Sequence, residues 1–350
     1  MKTNCLAETP CSSYLRGMAH PLSQFSPGRR RRQLLTLLTC CISIASSFVG
    51  PSFVVAQAPS ANTAGRSQPL PRWVNSSGRL VSYRNFPTNL VLPREVDVWL
   101  PPGYDENKTM SYPVVYMQDG QNLFDPDLTM WHKTWAIDKA MVALISSGKT
   151  PPAIIVGIWN TPSRTGEYMP QKAAAAAGVV DSSKISNMPG PSTGAIVSDN
   201  YLKFLVSEVK PFVDAHYRTA PGRATTFIMG SSMGGLISIY AISEYPDIFG
   251  GAACLSTHWP ASDGATVTYL KDHLPNPENH RIYFDFGTET LDSNYEPYQN
   301  RVDAMMLARG YRQGVNWVTR KFPGAEHSET SWAARVDVPL QFLLAGGSSN

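Results

Sequence analysis

Ser232 stands in Ile228-Met229-Gly230-Ser231-Ser232-Met233-Gly234-Gly235, where a Gly-x-Ser-x-Gly pattern joins a strand-like apolar run to a helix-like one. That setting suits a nucleophile. A serine on a tight strand-to-helix turn is held out at the end of a strand, and flanking glycines leave room for the backbone to cross. The helix that follows offers N-terminal N–H groups and the positive end of its dipole to an oxyanion. A hydroxyl is a weak nucleophile at neutral pH, so a base is needed, with an acid to orient it. The chemistry implied is acyl transfer through a covalent intermediate. A glycine-rich turn that only packs a helix close to a sheet is the structural alternative.

On this kind of scaffold the chain order is Ser, then Asp or Glu, then His. Four histidines follow Ser232. His327, in Gly324-Ala325-Glu326-His327-Ser328, falls between the last predicted strand and the terminal helix, where the base is expected. His258 follows the strand after the nucleophile and is expected in the pocket wall. His273 and His280 lie in a polar, proline-containing stretch and are expected in solvent. The acid should follow the strand Ile282 to Phe286, which leaves Asp285, Glu289 and Asp292. Asp285 lies inside the strand and faces away from Phe284 and Phe286. Asp292 is preferred over Glu289 because reaching back to the histidine normally takes a turn of several residues; both stay open. The oxyanion needs two donors. The N–H groups of Met233 and of Gln121 are the candidates, the latter in Gln118-Asp119-Gly120-Gln121-Asn122, where Gly120 permits a sharp turn.

The elements that must hold these residues alternate along the chain. Leu80–Phe86, Glu95–Leu100, Val114–Met117, Ala153–Ile158, Thr226–Met229, Gly251–Leu255, Ile282–Phe286 and Asn316–Lys321 read as strands, several of them uninterrupted apolar runs suited to burial on both faces. Trp131–Ser147, Tyr201–Tyr217, Gly234–Tyr245, Val302–Ala308 and Trp332–Leu344 read as helices. This rhythm predicts an α/β fold with a mostly parallel central sheet and helices on both faces. Gln171 to Ile196 breaks it with a stretch rich in Ala, Ser, Gly and Pro, expected to form a lid or pocket rim. Trp131, Trp159 and Trp259 fall near predicted strand ends or a helix start, where they could stack on a sugar or an aromatic acid.

The 350 residues carry a net charge of +3, but its placement matters. Six basic residues against the single acid Glu8 lie in residues 1–58, which leaves the remainder at −2 and gives no electrostatic ground for a nucleic-acid partner. Residues 1–58 read as a signal or leader segment. The run Arg29 to Arg32 precedes an apolar stretch from Leu34 to Val55 that ends in Ala56-Gln57-Ala58. The expectation is export to the periplasm or beyond, with no stable membrane insertion once the leader is cleaved. Four of the five cysteines lie in this segment, so Cys254 has no internal disulfide partner in the remainder. Residues 59–75 read as a flexible linker and 76–350 as the catalytic domain.

Taken together, several segments resemble the esterase family of α/β-hydrolases that includes enterochelin esterase-like hydrolases, feruloyl and acetylxylan esterases and the antigen 85 mycolyltransferases. The matching pieces are Arg94 to Tyr104, Tyr116 to Asn122, Gly230 to Gly235, Phe284 to Glu289 and Ala325 to Glu329, over roughly 79–345. The resemblance implies Ser232 as nucleophile, His327 as base and Asp119-Gly120-Gln121 as the oxyanion loop. It also implies that Arg164-Thr165-Gly166-Glu167-Tyr168 borders the site. Many members place Asp three residues after the glycine matching Gly287, and here that position is Thr290. The resulting expectation is a serine esterase with an acyl-enzyme on Ser232 and no metal or organic cofactor, acting on a small-molecule or carbohydrate-linked ester. Gly120, Arg164, Tyr168, His258 and Trp259 are expected around the substrate. An acyltransferase using the same triad and a non-catalytic binding protein on this fold are the other two readings.

Overall fold

Val114-Val115-Tyr116-Met117 and Ile154 to Ile158 have no polar face to give to water, and both runs lie at the centre of the sheet. The computed structural model describes residues 69–345 apart from 130, 131 and 189. The leader, residues 59–68 and Trp131 therefore lie outside the described residues. The rest belongs to one compact unit, Ala61–Asn350.

Among the described residues nine strands form one sheet: β1 (Pro69–Asn75), β2 (Gly78–Phe86), β3 (Arg94–Leu100), β4 (Val114–Gln118), β5 (Ile154–Ile158), β6 (Thr226–Ser231), β7 (Gly251–Leu255), β8 (Arg281–Phe286) and β9 (Trp317–Lys321). Their order is β1-β2-β3-β5-β4-β6-β7-β8-β9. β1, β2, β3 and β5 pair antiparallel, and every pairing from β5 through β4 to β9 is parallel. The chain leaves β4 for β5 on one side and returns to β6 on the other. The strand order therefore reverses at β4, where an open α/β sheet forms its ligand crevice.

Among the described residues ten α-helices pack on the sheet: α1 (Ile137–Ser146), α2 (Arg164–Tyr168), α3 (Gln171–Ala176), α4 (Ser198–Phe204), α5 (Lys210–His216), α6 (Met233–Glu244), α7 (Ala265–His273), α8 (Glu296–Arg309), α9 (Glu329–Ala333) and α10 (Asp337–Ala345). The twofold alternation of a strand sends successive side chains to opposite faces. Val114 and Tyr116 join a core with helices α2 to α8, whereas Val115 and Met117 join a second core with α1, α9 and α10. α6 is buried nearly all round, as a helix without a polar stripe must be. None of the described helices is long and apolar enough to cross a membrane.

Four expectations change here. Among the described residues the helix expected over Trp131–Ser147 begins only at Ile137. The linker expected over 59–75 ends in a strand, because β1 pairs with β2 on the edge of the sheet, where proline is tolerated. The helix expected over Tyr201–Tyr217 starts earlier and is interrupted by a π-helical segment, Leu205–Val209, between α4 and α5. The single terminal helix expected over Trp332–Leu344 is two. Pro339 lacks an N–H and would clash with the carbonyl of Arg335 in a continuous helix, so the chain restarts and places it in the first turn of α10.

One fully buried ion pair ties the antiparallel part to the helices beneath the crevice. The Arg94 guanidinium donates to both carboxylate oxygens of Glu167, at 2.9 and 2.6 Å, and lies over the rings of Tyr201 and Phe204. Replacing one member of such a pair strands a buried charge, at about 3–5 kcal/mol. Arg94→Met is therefore expected to lower stability by about that amount in urea unfolding, and Glu167→Gln added to it should recover part of the loss.

Candidate active site

Ser232 occupies the turn between β6 and α6 at φ 57° and ψ −122°, a conformation that side-chain-bearing residues rarely adopt. The turn is held from neighbouring segments. The Ser232 N–H donates to Leu255 O at 3.0 Å, and its carbonyl accepts from the N–H groups of Gly235, Leu236 and His258. The pattern's glycines follow from this packing. A Cβ on Gly230 would lie 2.6 Å from the carbonyl oxygen of Gly234, and one on Gly234 would lie 3.1 Å from Gln118 Cβ.

The Ser232 hydroxyl donates to His327 Nε2 at 2.9 Å, and the Nδ1 of the same ring donates to Asp292 Oδ1 at 2.6 Å. The loops that bring these side chains together are themselves joined. The His327 N–H donates to Thr290 Oγ1 at 2.9 Å, and Ala325 O accepts from the N–H groups of Thr288 and Glu289. Thr290, at the position where the resemblance places an acid, supports the backbone of the histidine instead. It sits at φ 54° and opens the short 3₁₀ turn Thr290–Asn294, which carries Asp292 inward. Glu289 remains exposed, and Asp285 is buried inside β8. Of the three sequence candidates, Asp292 alone meets the histidine.

Asp292 Oδ2 accepts from Ser256 Oγ and from the Gly287 N–H, both at 2.6 Å. Burial pushes the pKa of this carboxyl up, and the hydrogen bond and charge of His327 act against it. Ser256 and Gly287 add to that, and the pKa rests below its ordinary value. Ser256 Oγ in turn accepts from Trp332 Nε1 at 3.0 Å and from Arg335 Nη2 at 2.9 Å. The same nitrogen of Arg335 pairs with Asp285 at 3.0 Å. Two buried carboxylates thus share one guanidinium, directly for Asp285 and through Ser256 for Asp292. The rings of Trp332 and Tyr295 pack nearly perpendicular to the imidazole of His327, with centroids 5.0 and 5.7 Å away. Sequence reasoning missed Ser256, Trp332 and Arg335. An arginine set into the apolar run before Pro339 was the available signal.

On the other side of Ser232, Asp119 takes the left-handed conformation and starts the 3₁₀ turn Gly120–Asn122. The N–H groups of Gln121 and Met233 both belong to first turns, where a helix leaves its donors without an intrahelical acceptor. Arg164 clamps Asp119 with two hydrogen bonds, 2.7 and 2.8 Å, and Asn160 adds a third. A cavity of about 300 Å³ opens over Ser232 and His327, lined by Asn122, Trp135, Asn160, Arg164, Glu329 and Trp332.

The residues expected around the substrate divide. Arg164 lines the cavity, whereas Gly120 is buried against Gly157 and does not line it, although its neighbours Asp119 and Asn122 do. Tyr168 does not reach it. Its ring is fully buried and its hydroxyl accepts from the Asp119 N–H at 3.3 Å, a brace for the loop. Trp259 is likewise core, donating from Nε1 to Gln299 Oε1 at 2.9 Å. Trp159 spends its indole N–H on Asp97. His258 Nε2 faces the carbonyl of Asn187 at 2.8 Å and must donate to it, so the neutral ring accepts at Nδ1 from Tyr295 OH at 2.6 Å. Burial lowers its pKa to about 4 and keeps it neutral. His258 has no free nitrogen for base chemistry. It lines a second cavity of about 510 Å³ with Met188, Pro260, Leu291 and Tyr298. His280 is buried, not solvated, with both ring nitrogens on carbonyl oxygens.

The segment 171–196 forms a rim to that second cavity. It carries α3, and Asn187 Nδ2 donates to Pro260 O at 3.1 Å and to Asp263 Oδ1 at 2.8 Å, latching it beside His258.

The lowered pKa of Asp292 has a consequence for stability. A carboxyl whose folded pKa is depressed contributes stability fully above its unfolded value of 3.8 and loses it as pH falls through the lower folded value. Asp292→Asn is expected to lower the urea midpoint at neutral pH and to make its fall with acid shallower. An unchanged acid limb would count against the coupling to His327.

Comparison with known proteins places these features in a family. Residues 89–343 match the family described as Esterase: Putative esterase. The chain is 24% identical over 196 residues to the uncharacterized protein YbbA of Bacillus subtilis (strain 168), covering 56% of this chain and 68% of that one. It is 23% identical over 284 residues to the endo-1,4-beta-xylanase/feruloyl esterase of Xylanibacter ruminicola, covering 80% of this chain and 31% of that protein's length. Among solved structures, a ferulic acid esterase superposes with a TM-score of 0.55 at 20% identity, covering 76% of this chain and 98% of that one. An IroE-like serine hydrolase from Shewanella oneidensis gives 0.54 at 19%, covering 75% and 78%. At these identities the structural likeness is one of fold. The chain belongs to the Putative esterase family of carboxylic ester hydrolases and has the α/β-hydrolase fold.

Proposed function

We propose that this esterase-family member cleaves its ester through an acyl-enzyme on Ser232, with His327 as base and Asp292 as the orienting acid. The observation that carries the reading is the continuous relay from the Ser232 hydroxyl through both nitrogens of His327 to a buried carboxylate. His327 Nε2 takes the hydroxyl proton as Ser232 Oγ attacks the ester carbonyl carbon. The N–H groups of Gln121 and Met233 hold the oxyanion. The tetrahedral species collapses as the His327 Nε2–H returns its proton to the departing alkoxide. Water then repeats the sequence on the acyl-enzyme and regenerates Ser232. Asp292 stays ionised throughout and stabilises the imidazolium that forms at each step. Arg164 acts by fixing Asp119, and through it the turn that carries the Gln121 donor. The leader-like residues 1–58 support an exported enzyme.

Ser232→Ala is expected to abolish both turnover of a generic ester and labelling by a fluorophosphonate. Asp292→Asn should lower kcat by about 10⁴-fold, as loss of the orienting acid does elsewhere, while Glu289→Gln stays within about twofold. Equal losses in the Asp292 and Glu289 variants would overturn the assignment of the acid. A panel of acetyl, feruloyl and longer acyl esters, run with and without an acceptor alcohol, ranks substrates and separates hydrolysis from transfer.

A further inference from the structure

The largest cavity among those described, about 950 Å³, lies at the end of the sheet where β7, β8 and β9 begin, opposite the edge that carries Ser232. Arg223, Arg281, Arg312 and Arg320 line it, and Glu278 is its one acid. Among the described residues none of these four guanidiniums lies in an ion pair. The concentration is notable because residues 59–350 carry a net charge of −2.

Arg281 is the built part of this cavity. Its stem lies against Gly251, where a Cβ would come within 2.8 Å of its Cγ. Its guanidinium passes 5.7 Å from the ring of Phe227 and donates to Leu343 O at 3.2 Å, in the last turn of α10. Burial lowers its pKa, with no carboxylate to offset the desolvation. Guanidinium forks are preorganised for planar oxyanions, and such charge-assisted hydrogen bonds are about twice as strong as neutral ones.

We propose that this cavity binds a multivalent oxyanion, a ligand carrying two or more phosphate, sulfate or carboxylate groups. A parallel strand of five or six residues spans roughly 17–20 Å, so the bound anion would leave the crevice at Ser232 open. The site therefore acts in retention or docking and not in the cleavage step.

The test is calorimetric titration of the full chain with pyrophosphate and, separately, with citrate, at low ionic strength where screening is weak. The expected result is saturable binding of at least one probe that weakens as salt is raised. The double variant Arg312→Gln/Arg320→Gln should bind about tenfold or more weakly, with ester turnover within about twofold of the parent. Binding of pyrophosphate alone identifies a phosphate- or sulfate-bearing ligand, and binding of citrate alone a polycarboxylate. No saturable binding of either probe, or affinity unchanged in the double variant, overturns the proposal.

Discussion

A backbone held at φ 57° and ψ −122° on Ser232 persists only because its surroundings leave it nowhere else to go. β6 lies between β4 and β7, and each neighbour supplies part of the restraint. Leu255, at the end of β7, accepts the Ser232 N–H, and the side chain of Gln118, at the end of β4, fills the space beside Gly230 and Gly234. The helix that continues from the turn is buried on all sides and cannot tilt to relax it. The strain and the reversal of strand order are thus one feature. The sheet turns back at β4, so its loop and the turn after β6 open side by side, the N–H of Gln121 on one and of Met233 on the other.

Charge buried beneath the loops performs the second positioning task. Arg94 with Glu167 and Arg335 with Asp285 are buried ion pairs, and Arg164 with Asp119 is a half-buried one at the cavity wall, each linking segments far apart in sequence. A buried pair adds little net stability, because desolvation offsets most of the attraction. What it adds is geometry, since losing either partner is costly and slippage is penalised. The Arg335 pair reaches furthest into the site. Ser256 lies between its guanidinium and Asp292, so the orientation of the His327 ring depends on a side chain three residues beyond Trp332.

The features legible in the sequence are those that local physics encodes. Val114–Met117 and Ile154–Ile158 had to be buried strands, and the Gly-x-Ser-x-Gly pattern had to sit at a strand-to-helix turn. His327 followed from chain order. The acid did not, because choosing between Glu289 and Asp292 depends on a loop whose shape is set by Thr290 in a left-handed conformation and by contacts to Ala325. Ser256 and Arg335 are 79 residues apart in sequence, and no spacing rule joins them. Tyr168 was placed at the substrate because the segment Arg164 to Tyr168 resembles one that borders the site in the family, and Trp259 because an aromatic residue near a strand end suits stacking. Their polar atoms instead meet Asp119 and Gln299, and their rings are core. β1 was read as linker because prolines and serines suggest flexibility. An edge strand accepts proline, since one side of its ladder has no partner to satisfy.

β1 also fixes where the described chain enters the sheet. It is the edge strand, with β2, β3 and β5 between it and β4. At about 4.8 Å per strand, the chain entering at Pro69 is roughly 25 Å from β6 across the sheet. The antiparallel strands β1, β2 and β3 thus widen the sheet on the side away from β7, β8 and β9 and keep that edge clear of the crevice at Ser232.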